Sequence, residues 1–439
     1  MTEVRVRQHE WWMEAYRRWA EFEKLRAMQV PQYQLQELNA QLLYTLSRSP
    51  FYRERSALYP KRLADLAELA NLPFTMKEDL RRGYPRELIA ADESLIIRYG
   101  ESTGTTGSPI SSAITYRDWI RCNVAVQASV GHIFGVNDKV FVSIPYELAF
   151  ASYDLDRALE AVGTTVVSTG ALSSVCPIER VARMMVDVRP TGLICTPTRA
   201  LRVFDTVKQA GHDPQGIGLR ALLYVGETCS EAKLAKIRDL WGARLTTAYG
   251  ATETNSLGLP CALGQLHLTE DRYIFEVIDV DSEQAVPDGA PGELVVTSIG
   301  VEALPLIRYR TGDEVIVSSI PCGCGSPRRT VRHYGRISER YSISGRHLNK
   351  LAVEQQILST PGTGMYYAAG VEQNELVVRV QVEGGFPVEE TLRNVEEGIA
   401  QTFSVPSQVG SASKELIMAA MDRMLKPGSL GLEHLKAMT

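Results

Sequence analysis

Between residues 140 and 241, short apolar runs alternate with amphipathic stretches. Val140-Phe141-Val142-Ser143-Ile144, Gly192-Leu193-Ile194-Cys195-Thr196 and Ala221-Leu222-Leu223-Tyr224-Val225 are near-continuous apolar runs of strand length, and the β-branched Thr164-Thr165-Val166-Val167-Ser168 reads as a further strand. Helical segments follow individual runs, such as 178–188 after 164–168 and 230–241 after 221–225. A strand covered on both faces reads as such a run, and parallel strands need a crossover to connect them. The rhythm predicts βαβ units in an α/β fold, whose ligands gather at the carboxyl ends of the strands. Gly226-Glu227-Thr228 and Tyr249-Gly250 each follow directly on a strand-like run, where a ligand is expected.

The flanks differ. Trp12, Ala15, Tyr16 and Trp19, then Leu35, Leu38, Leu42, Leu43 and Leu46, are spaced for two helices within 9–48. From Tyr273 the pattern turns to alternating strands (273–280, 292–298, 314–318), a β-rich subdomain within the large domain. Beyond Arg336 a helix over 352–358, a hairpin over 365–382 and a helix over 387–403 predict a small α+β unit. The boundary is placed near Gly335-Arg336, giving a large domain, 1–334, and a small mobile one, 335–439.

With 439 residues, 44% of them hydrophobic, two or three domains can each bury a core. A formal charge of −5 lacks the basic excess of a nucleic-acid-binding surface. No 18-residue apolar run is available to span a membrane, and the polar N-terminus is unlike a signal peptide. Seven scattered cysteines, an odd number, suit a reducing cytosol better than a disulfide framework. These features predict a cytoplasmic enzyme.

Gly100-Glu101-Ser102-Thr103-Gly104-Thr105-Thr106-Gly107-Ser108-Pro109 follows a strand-like run, 95–99. Glycine lets backbone amides approach an anion, and Ser/Thr hydroxyls add donors, so a triphosphate is a natural guest. A flexible polar loop is the plain alternative. Downstream come Thr247-Ala248-Tyr249-Gly250-Ala251-Thr252-Glu253, then Leu306-Ile307-Arg308-Tyr309-Arg310-Thr311-Gly312-Asp313, then Tyr334-Gly335-Arg336. In that order the four segments resemble the signature of the adenylate-forming acyl/aryl-CoA ligase superfamily. Ser49-Pro50-Phe51-Tyr52-Arg53-Glu54, Leu72-Pro73-Phe74-Thr75-Met76-Lys77-Glu78-Asp79-Leu80 and Pro287-Asp288-Gly289-Ala290-Pro291-Gly292-Glu293-Leu294 look like its phenylacetate-CoA ligase branch. The likeness runs from about residue 40 to about 345.

The resemblance implies an ATP- and Mg²⁺-dependent ligase that makes an acyl-adenylate and passes the acyl group to coenzyme A. Ser102, Thr103, Gly104, Thr105, Thr106 and Gly107 would cradle the β/γ-phosphates; Ser108 stands where the family often has a lysine. Tyr249 and Gly250 would serve adenosine, with Gly226 and Glu227 on the adenine side. Thr252 would touch the α-phosphate, Glu253 would bind Mg²⁺, Asp313 would chelate the ribose hydroxyls, and Arg336 would pair with ribose or phosphate. The plain alternative for 249–253 is a Gly-containing strand-end turn with a surface glutamate, and for Asp313 the aspartate of a polar Thr-Gly-Asp turn. Tyr146, Phe150 and Tyr153, with Ala251, would border the acid. The loop 146–153 is bulkier than the family's glycine-rich one, which predicts a compact aromatic acid, benzoate-, phenylacetate- or anthranilate-like; the same aromatics equally suit a core. A homodimer is implied as well.

Cys261, His267, Cys322 and Cys324 have the ligand types and number of a structural tetrahedral zinc site, with Gly323 allowing the tight bend; two unrelated pairs of thiols are the alternative. Members of the resembling branch sometimes carry similar clusters there. Cys122, Cys176, Cys195 and Cys229 read as core or inert thiols, and His132, His333 and His347 have no partner the sequence reveals. The family's C-terminal catalytic lysine has no clear counterpart. Lys426 is the candidate, with Lys436 the other late lysine, although Pro427 also marks Lys426 as a helix-end residue. The altered C-terminal segment leaves a second acceptor open: a carrier-protein thiol, an amine or a hydroxyl. A silent nucleotide-binding protein is the third reading.

Overall fold

The structure, a computed structural model, describes residues 2–102, 108–421 and 430–431. It is a mixed α/β chain that divides into two compact units. One comprises Met1–Ser174, Gly192–Ile194 and Thr246–His333, and the other Val175–Thr191, Cys195–Leu245 and Tyr334–Thr439.

The first unit opens on helices Thr2–Glu23 and Val30–Arg48, the two expected from the spacing of tryptophans and leucines. Strands Lys139–Ser143 and Thr165–Ser168 pair in parallel across helix Ala151–Ala161, a βαβ unit one residue out of register with the expected bounds. The β-rich part is larger than the alternation suggested. Tyr273–Ile278, Pro291–Ser298, Tyr309–Ser318, Thr330–Arg336, Leu266–Leu268, Asn255–Pro260 and Tyr249–Ala251 lie side by side in that order in one sheet. Its main core gathers Leu38, Leu42, Tyr52, Leu257, Leu294, Val296 and Tyr309, so the second helix packs on the β-rich part.

In the second unit, helices Ile178–Val188, Pro197–Gln209 and Glu231–Trp241 accompany strand Ala221–Tyr224. Ser230 caps the third helix, its hydroxyl accepting from the Lys233 amide. The C-terminal part is the expected α+β unit. Ser407–Ser411, Glu375–Val382, Thr363–Glu372 and Leu430–Gly431 form a sheet in that order, with helices Lys350–Ser359 and Val388–Phe403 supplying Val353, Ile357, Val395 and Ile399 to its core. No helix among the described residues is long and apolar enough to cross a membrane.

Candidate active site

The Gly/Ser/Thr segment connects two strands. Ile96–Glu101 and Ser111–Thr115 pair antiparallel, with Glu101 opposite Ser111. The Ser102 amide donates to the Ile110 carbonyl at 3.0 Å and the Ile110 amide to Ser102 Oγ at 2.9 Å, closing the base of the connection. Thr103, Gly104, Thr105, Thr106 and Gly107 lie outside the described residues. Gly100 is required at that base: a Cβ there would sit 2.7 Å from the Phe150 ring and 2.9 Å from the Leu148 carbonyl oxygen. The strand entering the Gly/Ser/Thr segment thus rests on the loop expected to border the acid.

In that loop Phe150 is buried, while Tyr146 and Tyr153 meet edge to face at 5.3 Å. Tyr146 Oη donates to both Asp156 carboxylate oxygens, at 2.8 and 2.9 Å, and Ser168 Oγ donates to Oδ2 at 2.8 Å. Arg98 lies 3.9 Å above the Tyr153 ring.

Strand Tyr309–Ser318 alternates buried and partly exposed residues along its whole length. Tyr309, Thr311 and Asp313 therefore share its inward face, and Asp313 is 1% exposed. The strand is gripped at its start. The Thr75 amide donates to the Arg308 carbonyl and the Arg310 amide to the Thr75 carbonyl, both at 3.0 Å. Thr75 Oγ1 donates to the Ile307 carbonyl at 2.7 Å, and Tyr52 Oη accepts from the Ile307 amide at 2.9 Å. Arg308 forks onto Glu276 at 3.1 and 2.9 Å and donates to the carbonyls of Ala70 and Leu72. One oxygen of Glu293 receives two nitrogens of Arg310, and the other the Gly312 amide. These bonds explain why the Leu72 and Gly292 segments accompany the Arg308–Asp313 segment: they brace it.

The turn joining Tyr249–Ala251 to Asn255–Pro260 brings the other motif to this face, with Ala251 opposite Asn255. A side chain at Gly250 would run into the Asn255 carbonyl. Tyr249 Oη donates to Asp313 Oδ2 at 2.6 Å. His333, unplaced by sequence, stacks on the Tyr249 ring at 4.5 Å with its Nε2 3.4 Å from Asp313 Oδ1. Glu253, 7% exposed, accepts at Oε1 from Tyr309 Oη at 2.7 Å. Two separate contacts thus tie this turn to strand Tyr309–Ser318: Tyr249, with His333, to Asp313, and Glu253 to Tyr309. Among the described residues Tyr309 is the hydrogen-bond partner of the Glu253 carboxylate, leaving Oε2 a hard oxygen donor that fits a divalent cation such as Mg²⁺.

Gly226, Glu227 and Arg336 belong to the second unit. Gly226 takes a left-handed φ of +79° just after strand Ala221–Tyr224. The Glu227 carboxylate accepts from the Thr198 amide at 3.1 Å and hydroxyl at 2.6 Å and from Lys233 Nζ at 3.2 Å. Lys426 and Lys436 lie outside the described residues.

The cysteine–histidine constellation comes together on paired turns. The Gly264 amide donates to the Cys261 carbonyl at 2.8 Å and the Gly325 amide to the Cys322 carbonyl at 3.1 Å. Pairing of His267 with Thr330 draws the two turns side by side. The ligand atoms of Cys261, His267, Cys322 and Cys324 all lie within 4.8 Å of one another. His267 Nδ1 is 2.9 Å from the Arg328 carbonyl, which can only accept, so Nε2 carries the lone pair and faces Cys324 Sγ at 3.4 Å. Burial holds the imidazole below its ordinary pKa and hence neutral, the form that ligates metal. Three sulfurs and an outward-buttressed imidazole fit a tetrahedral zinc ion.

Residues 32–303 match the AMP-binding enzyme family. The chain is 30% identical over 381 residues to a phenylacetate-coenzyme A ligase of Thermus thermophilus, covering 83% of each. A phenylacetate-coenzyme A ligase of Pseudomonas putida is 29% identical over 359 residues, 80% of each. Among solved structures, 2-hydroxyisobutyryl-CoA ligase in its postadenylation state superimposes with a TM-score of 0.84 at 20% identity, over 95% of this chain and 93% of that one.

Proposed function

The chain belongs to the AMP-binding enzyme family, in its phenylacetate-CoA ligase-like branch, and from that premise we propose that it activates a small aromatic carboxylic acid with ATP and transfers the acyl group to coenzyme A. The observation that carries the reading is the braced strand Tyr309–Ser318, which holds Tyr249 at Asp313 and Glu253 at Tyr309.

On this face the Asp313 carboxylate, which already accepts from Tyr249 Oη, would chelate a pair of vicinal sugar hydroxyls. Thr252, beside Glu253 at the tip of the turn, presents a hydroxyl to a phosphoryl oxygen. Mg²⁺ held at Glu253 would neutralise charge developing on the phosphates. A substrate carboxylate oxygen attacks the α-phosphorus; the bond to the bridging oxygen breaks, and pyrophosphate leaves with the electron pair. The coenzyme A thiol, losing its proton, then attacks the acyl carbon and AMP departs. Holding both reactants in one orientation supplies proximity, worth about 7 kcal/mol or more of barrier at best. Phe150, Tyr146 and Tyr153 supply the aromatic wall that favours a planar acid over a fatty chain.

Pyrophosphate exchange into ATP, screened over benzoate-, phenylacetate-, anthranilate- and hydroxybenzoate-type acids, tests the reading. An aryl acid should drive exchange, and adding coenzyme A should yield the thioester. Exchange with no acid of any class rules the ligase reading out. Exchange only with long-chain fatty acids rules out the aromatic pocket. Adenylate without thioester points to another thiol, amine or hydroxyl acceptor.

The same reading includes a structural zinc ion at Cys261, His267, Cys322 and Cys324, with no open coordination position and hence no part in the chemistry. Purified protein is expected to carry about one zinc per chain. Cys322→Ser should lose the metal and lower the melting temperature, while the exchange rate per folded molecule stays unchanged. Metal analysis that finds no zinc in the wild-type chain removes this part of the reading.

A further inference from the structure

We propose that Tyr309 is a positioning residue for Glu253: its phenol fixes one carboxylate oxygen so that the other is presented to the divalent cation. The inference rests on the ligase reading and goes one layer beyond the metal ligand itself.

Glu253 sits at the tip of a tight turn and carries a long side chain with three rotatable bonds. A buried carboxylate is costly unless hydrogen-bonded, and an unfixed one would divide its time among rotamers. Tyr309 is fully buried, and its backbone is held by the flanking bonds to Thr75 on one side and Glu293 on the other. Its hydroxyl is thus a fixed point, 2.7 Å from Glu253 Oε1. The turn is pinned a second time by Tyr273 Oη, which donates to the Thr254 carbonyl at 2.6 Å. Backbone and carboxylate of the tip are each tied by one phenol to a strand from elsewhere in the sheet. Outer-shell donors of this kind set the orientation of a ligating carboxylate.

The test uses the full-length chain. Tyr309→Phe removes one oxygen and keeps the ring. Two measurements follow: Mn²⁺ titration of the ATP complex read by electron paramagnetic resonance, and the Mg²⁺ dependence of pyrophosphate exchange. The variant should bind Mn²⁺ roughly ten- to a hundredfold more weakly, and its half-saturating Mg²⁺ should rise by a similar factor. At saturating Mg²⁺ the exchange rate should return to the wild-type value. A residue that merely fills the core would lower the active fraction equally at every metal concentration. Unchanged Mn²⁺ affinity, or a rate that excess metal does not restore, overturns the proposal. If the variant does not fold, 3-fluorotyrosine placed at 309 gives the second measurement: its fluorine resonance must shift when Mg²⁺ joins the ATP complex, and no shift overturns the proposal. A wild-type chain without acid-dependent exchange takes down the ligase reading and this one with it. A wild-type chain that exchanges, with Glu253→Gln impaired and Tyr309→Phe unaffected, takes down the positioning role alone.

Discussion

Lys233→Met should lower the unfolding free energy by about 3–5 kcal/mol, the cost of removing one partner from a buried ion pair. Lys233 Nζ lies 3.2 Å from Glu227 Oε1 and 3.4 Å from Glu354 Oε2, and all three side chains are less than one-tenth exposed. Burial alone would lower the lysine pKa, but the charges of Glu354 and then Glu227 outweigh it and raise the value well above the ordinary one. The remaining oxygens are occupied as well: Glu354 accepts from the Ser230 amide at 2.8 Å and Tyr367 Oη at 2.9 Å, and Glu227 from Thr198. Because the folded pKa is raised, the wild-type contribution is complete below the unfolded lysine value. It is lost only as pH rises through the folded one, so it is constant across neutral pH. In the variant two carboxylates face each other without a cation, an arrangement relieved when one takes up a proton. The deficit should therefore shrink as pH is lowered from 8 towards 5. Urea titrations at both pH values check this, and a deficit below about 1 kcal/mol, the range of an exposed pair, would show that the triad holds nothing together.

Glu227 reads from the sequence as an adenine-side residue, and nothing there ties it to Lys233 or Glu354. A lysine on an amphipathic helix reads as solvated, and Glu354 stands far along the chain on a helix of its own. What was legible followed from periodicity: helix Ile178–Val188 has the expected bounds, and the apolar runs became strands to within a residue or so. Strand Tyr309–Ser318 was anticipated only from residue 314, because Arg310, Thr311, Gly312 and Asp313 read as a polar turn. The strand continues through them with Thr311 and Asp313 inward, placing polar groups where periodicity expects apolar ones. Buried polar residues at strand positions are what a site demands and what a hydrophobic pattern misreads. The Cys/His cluster could be assembled from residue type alone. The pairing that joins its halves, His267 opposite Thr330, is a register fact that no local pattern contains. His333 carried no signal, since a lone imidazole acquires meaning only beside Tyr249 and Asp313.

Asp313→Asn should lower kcat/KM for ATP by roughly ten- to a hundredfold, the loss of about 1.5–3 kcal/mol expected for hydrogen bonds to a charged acceptor. Asparagine matches aspartate in volume, so the strand keeps its packing, and its carbonyl oxygen can still accept from Tyr249 Oη, now 2.6 Å from Oδ2. The Asp313 amide bond to Thr311 Oγ1, at 3.1 Å, is a backbone contact and survives too. What disappears is the negative charge and one acceptor, replaced by an amide that donates towards His333 and any sugar hydroxyl. The defect should therefore fall on the nucleotide: KM for ATP rises while KM for the acid does not. Calorimetric ATP binding should weaken by a similar factor, with the melting temperature little changed. Tyr249→Phe sets the scale from the other side, because it removes the donor but leaves the carboxylate, and should cost less. Equal losses in both substrate terms, or a collapse of thermal stability in the asparagine variant, would assign Asp313 to the core of the sheet and leave the ribose without its acceptor.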